Sequence, residues 1–102
     1  MKAYQKLYFK SFGYAYSDTV YSEISGDVAN DIHHIYSRGM GGTSEPDRIE
    51  NLIAVTRDEH DEFGDKKKYY AYLFQMHARM MDACGVKYDK EYIREQIQRW
   101  KE

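Results

Sequence analysis

Three histidines and an asparagine carry the chemistry this chain could do. His33 and His34 are adjacent, Asn51 follows, and His60 completes a set that spans twenty-eight residues. Imidazole supplies a lone pair for a metal and a base that works near neutral pH. Asn51 begins the run Asn51-Leu52-Ile53, and the segment between the histidine pair and Asn51 is glycine-rich: Ser37-Arg38-Gly39-Met40-Gly41-Gly42-Thr43.

The elements that must position these groups are legible in part. Residues 1–21 are rich in aromatics (Tyr4, Tyr8, Phe9, Phe12, Tyr14, Tyr16, Tyr21), and Gly13 interrupts them. They read as a short helix or irregular arm packed on the core. Ser22 to Asp27 has turn chemistry. Val28 to Ile35 reads as a strand, residues 36–50 as a long polar loop, and Leu52-Ile53-Ala54-Val55 as a short buried strand. Thr56-Arg57-Asp58-Glu59 has the form of a capping box, so a helix starts there with His60 in its first turn or just after, and Gly64 interrupts or ends it. Tyr70, Leu73, Phe74, His77, Met80, Met81 and Cys84 share helical spacing, which predicts a helix from about Lys66 to Ala83 ended by Gly85. Asp89 caps a last helix to about residue 101, with Tyr92, Ile93, Gln96, Ile97 and Trp100 on one face. The sequence thus predicts a single α+β domain over 1–102.

Composition bounds the rest. The chain has 102 residues, 42% hydrophobic and 31% charged, which predicts one small globular domain. Its net charge of −2 argues mildly against nonspecific nucleic-acid binding. No apolar run approaches the ~20 residues needed to cross a bilayer, and no signal-like segment opens the chain, so a cytoplasmic protein with no membrane partner is expected. One cysteine, Cys84, excludes an internal disulfide and is expected to be a small buried side chain. His77, within the apolar pattern, is expected to be a hydrogen-bonded core residue. Asp31 is read as an exposed carboxylate, with an acceptor role for His33 as the alternative.

Asp-x-His-His-Ile, Arg-Gly-Met-Gly-Gly, Glu-Asn-Leu-Ile, the helix histidine and Gly-Asp-Lys-Lys occur here in an order that resembles the HNH endonucleases, particularly small phage and bacterial ones. The resemblance covers roughly Asp31 to Lys68. It implies a ββα-metal finger, a two-stranded antiparallel hairpin followed by a helix, here with the aromatic N-terminal arm and C-terminal helices added. By the same resemblance His33 and His60 are metal ligands, His34 is the general base and Asn51 fixes the loop and orients the base. His60 stands nine residues after Asn51, as in the family. Where three-histidine members carry a further ligand, this chain has Gly64, so Asp61 or Asp65 would have to supply any third group. Where many relatives carry two Cys-x-x-Cys pairs, it has Ser22 and Ser25, then Thr56 and Glu59, which implies no structural zinc.

Two protein ligands leave positions for water and phosphate, which suits one Mg²⁺ or Mn²⁺, while imidazole also favours Zn²⁺, Ni²⁺ or Co²⁺. The implied activity is metal-dependent hydrolysis of DNA phosphodiesters. A monomer would nick, and a homodimer could cut both strands. Arg38, Lys66, Lys67 and Lys68 are candidate DNA-backbone contacts, with solvated charges as the plain alternative. Phage DNA processing, with packaging or recombination proteins as partners, is the implied setting. The competing reading is a non-catalytic DNA- or protein-binding module that keeps the finger as a scaffold.

Overall fold

A computed structural model describes residues 1–36 and 46–101. The architecture is α+β: four helices surround one two-stranded antiparallel sheet. Helix α1 (Ala3–Phe12) is ended by Gly13, whose φ of +76° is the left-handed turn that glycine adopts without steric cost. Strand β1 (Asp31–His34) pairs with β2 (Leu52–Val55), with His33 opposite Ile53 and His34 opposite Leu52. Helix α2 (Arg57–Phe63) follows β2 directly. Helices α3 (Tyr70–Ala83) and α4 (Lys90–Trp100) complete the fold. No described helix is long and apolar enough to cross a membrane.

The sheet is buried on both faces, which explains why β2 is an unbroken apolar run rather than an alternating one. On one face Ile35, Ile53 and Val55 meet Leu73, Phe74 and Met81 of α3 and Ile93 of α4. On the other, Leu52 and Ala54 meet Tyr8 of α1 and Val20. Successive side chains on a strand point to opposite faces. His33 therefore turns toward α2 and His34 toward α1.

The first strand is shorter than its apolar pattern predicts. Val28 pairs with Tyr21 instead of with β2, and the Ala29 amide donates to the Val20 carbonyl at 2.9 Å. That segment folds back on its own turn, and the ladder to β2 begins only at Asp31. The helix expected from Lys66 opens with a 3-10 turn, Lys67–Tyr69, before α3 proper. Cys84 is exposed rather than buried. Helix α3 ends one residue before it, and Gly85 (φ +70°) turns the chain so that Val86, not Cys84, packs against the core.

Polar groups hold the elements in register. The capping box forms as expected: the Glu59 amide donates to Thr56 Oγ1 at 3.1 Å, and the Thr56 amide donates to Glu59 Oε1 at 2.8 Å. The same Glu59 oxygen accepts from Ser22 Oγ at 2.6 Å, while that hydroxyl takes the amides of Ile24 and Ser25 at 3.0 and 3.1 Å. Burial alone would raise the Glu59 carboxyl, but hydrogen bonds from Ser22, Ser25 and Thr56 outweigh it and hold the group below its ordinary range. The turn before β1 is thereby pinned to the start of α2.

Deeper in, His77 is fully buried, and its Nδ1 lies 2.8 Å from Glu23 Oε1. Its Nε2 donates to the Ile49 carbonyl at 2.6 Å, and Tyr8 donates to the other Glu23 oxygen at 2.5 Å. Loss of one member strands the others in an apolar interior. Replacing one partner of such a buried pair costs about 3–5 kcal/mol. Glu23→Ala should therefore lower the unfolding free energy in urea by that order, whereas removing the exposed Glu91 should leave it nearly unchanged.

Candidate active site

His33, His34, His60 and Asp65 line one surface pocket of about 350 Å³, together with Tyr4, Asp31 and Ile32. The sequence-derived histidines thus converge, although they come from β1 and α2. His33 is 8% exposed, and its Nε2 is buried without a hydrogen-bond partner, the one such side-chain atom among the described residues. An unpaired buried nitrogen costs free energy unless something binds it. The ring beside it is that of His60, at 4.5 Å between centroids.

His60 faces a carboxylate on its other edge: Nδ1 lies 3.5 Å from Asp31 Oδ2. Arg57 fixes that carboxylate with two hydrogen bonds of 2.9 and 3.1 Å. Asp31 is therefore neither a free surface charge nor an acceptor for His33. A carboxylate in this position can orient an imidazole ring. The pair fits a divalent metal on the chemistry of its donors: two imidazoles, an orphaned buried nitrogen, and carboxylates lining the same pocket. Among the described residues no group of three or more histidine, cysteine or acidic side chains is placed to hold a metal ion.

Gly64 explains how the two rings come together. A Cβ at this position would lie 2.5 Å from the His60 carbonyl oxygen, 2.7 Å from the His60 ring and 3.2 Å from the His33 ring. A larger residue would force the helix end or the His60 ring aside. Asp65 follows with φ +58°, a left-handed conformation that aspartate tolerates better than most residues, and lines the pocket. Asp61 does not line the pocket.

His34 is held separately. Its Nε2 lies 2.7 Å from Asp47 Oδ1, and its ring packs on Tyr4 at 4.5 Å between centroids. A carboxylate on Nε2 favours the tautomer with its proton there, which leaves the Nδ1 lone pair to take a proton. Asp47 is in turn positioned by Asn51, which is fully buried. Asn51 Nδ2 donates to the carbonyls of Pro46 (3.0 Å) and Tyr36 (2.9 Å), and its Oδ1 accepts the Tyr36 amide at 2.8 Å. One side chain closes both ends of the loop and sets the residue next to Asp47. Neither Tyr4 nor Asp47 stood out in the sequence. Asp47 lies within an acidic run, and Tyr4 is one of eleven tyrosines.

The candidate DNA-contact lysines separate. Lys66 Nζ donates to the Asp61 and Glu62 carbonyls at 3.2 and 2.8 Å, so it caps the C-terminal end of α2. Lys67 lies over the Trp100 ring and Lys68 over the Tyr69 ring. Arg38 lies outside the described residues. The chain matches no protein-family model, no curated protein and no solved structure.

Burial, reinforced by the neighbouring His60, pushes the His33 imidazole down from 6.5 to about 4. The ring is neutral at physiological pH. The unfolded chain protonates His33 near its ordinary value, so between those limits it binds a proton that the folded state refuses. Stability of the metal-free protein should therefore fall as pH drops from 6.5 toward 4, by up to about 3 kcal/mol. Urea titrations across this window should show the slope, and His33→Phe should flatten it. Gly64→Ala should weaken Mn²⁺ binding in calorimetry and lower stability by about 1–3 kcal/mol, the usual cost of overpacking.

Proposed function

We propose that this chain is a metal-dependent DNA endonuclease of the HNH type, with β1, β2 and α2 as its ββα-metal finger. The observation that carries the reading is the orphaned buried Nε2 of His33, set against His60 in the same pocket as a histidine whose Nε2 lies against the Asp47 carboxylate. His33 and His60 would hold one divalent ion, Mg²⁺ or Mn²⁺ in the first instance. Bound there, the ion would stabilise negative charge developing on the scissile phosphate and its leaving oxygen.

The chain's own residues supply the remainder. His34 Nδ1 takes a proton from water as the water oxygen attacks phosphorus. The bond from phosphorus to the 3′ oxygen breaks, giving a 5′-phosphate and, after protonation from solvent, a 3′-hydroxyl. Asp47 keeps the His34 proton on Nε2 and stabilises the imidazolium that forms. Asn51 holds the Pro46–Asp47 segment where this bond can be made. Asp31 and Arg57 orient His60. Phage DNA processing is the setting this reading fits.

Supercoiled plasmid incubated with Mg²⁺ or Mn²⁺ should be nicked. His34→Ala should reduce the rate about 10²–10⁴-fold while remaining folded by circular dichroism. Asn51→Asp replaces both donors to the loop carbonyls with acceptors and should lower activity and stability together. Absence of cutting by folded wild-type protein across Mg²⁺, Mn²⁺, Zn²⁺, Ni²⁺ and Co²⁺, on duplex and single-stranded DNA, would overturn the nuclease in favour of a non-catalytic module.

A further inference from the structure

Several of the cationic side chains are already engaged by oxygen acceptors. Arg48, Arg57, Lys90 and Arg94 each face a carboxylate, and Lys66 caps α2. Lys67 and Arg99 are exposed and lie instead against aromatic rings. Arg99 is 4.5 Å from the Trp100 ring centroid and 5.3 Å from that of Tyr36, and Lys67 is 5.7 Å from Trp100. Tyr36 and Trp100 pack at 5.5 Å, and Tyr70 supports Trp100 from the core at 4.9 Å. Among the described residues neither cation has a carboxylate within ion-pair distance. An aromatic ring holds a cation in place without neutralising it. The outward side of each charge is left for an anion.

The placement says which anion. Tyr36 lies two residues beyond His34, and Lys67 two residues beyond Asp65, so two segments lead out of the pocket. Both arrive at Trp100. We propose that Lys67 and Arg99, seated on Trp100 and Tyr36, form a shelf that binds the phosphates of the DNA strand flanking the cleavage point. The proposal rests on the nuclease reading and gives it a substrate track. It also reconciles phosphate binding with the negative net charge: Lys67 and Arg99 offer local positive charge whatever the chain's overall balance.

Trp100 is the sole tryptophan, so its emission reports on the shelf directly. Full-length protein in EDTA, which prevents cutting, is titrated with unlabelled twelve-nucleotide DNA, duplex and single-stranded, across a range of salt. Wild-type emission should change saturably. Lys67→Gln combined with Arg99→Gln should weaken binding about tenfold and reduce the salt slope by roughly 0.9 for each duplex phosphate that is no longer neutralised. Arg94→Gln, which removes a cation paired with Glu91, should behave as wild type. Unchanged affinity and slope in the double variant, DNA binding that leaves Trp100 emission unaltered, or a preference for polyglutamate over DNA would each overturn the shelf. Cleavage separates the two ideas. Plasmid nicking with wild-type KM by the double variant sinks the shelf and spares the nuclease. Charge-dependent binding at Trp100 by a protein that cuts nothing does the reverse.

Discussion

The buried carboxylate of Glu23 is the constraint on which the rest of this small domain depends. It accepts the Tyr8 hydroxyl from α1 and lies against His77 Nδ1 from α3. Through the far nitrogen of His77 it reaches the Ile49 carbonyl. Ile49 opens the short 3-10 turn that ends in Asn51. A polar group so deep must be fully satisfied or it destabilises everything around it. Its satisfaction requires α1, α3 and the segment ahead of β2 to be in place together. Hydrophobic burial supplies the drive to collapse, and this network selects which collapse is native.

From Ile49 the constraint passes to the chemistry. Asn51 lies two residues on, and it closes the loop and sets Asp47 against His34. The site is thus a consequence of core geometry rather than an ornament on the surface. Its second half hangs on the residue next to Glu23. His60 is placed by α2, and α2 is placed by the Thr56–Glu59 cap and by the Ser22 hydroxyl that shares the Glu59 carboxylate. Two polar networks, one deep and one shallow, bring the proposed base and the proposed metal ligands to a common pocket from opposite faces of one sheet. Glu50 extends the deep network: it accepts from Arg48 and from the Asp89 amide, tying the loop exit to the start of α4.

What could be read from the sequence was local. The capping box at Thr56, the stop at Gly13, the buried run at β2 and the cap at Asp89 are each set by residues within a few positions of one another, and each appears where expected. The meeting of the three histidines in one pocket was expected from the motif order shared with the HNH endonucleases, since no one of them stands out alone. The reach of the first strand was misjudged, because Val28 has strand chemistry but finds Tyr21 as its partner. Cys84 was misplaced because helical spacing does not reveal where a helix runs out of core. The contacts between Glu23 and His77, Ser22 and Glu59, and His34 and Asp47 left no local trace. Their partners are 54, 37 and 13 residues apart, and nothing in composition pairs them.

Adjacent histidines on opposite faces of a strand make the site intolerant of sliding. A pairing error of one residue between β1 and β2 would exchange the two faces. The ring that belongs beside His60 would then lie beneath Tyr4, and the ring that belongs to Asp47 would be driven among Ile53 and Leu73. The pocket exists only in the register in which four residues of β1 stand against four of β2.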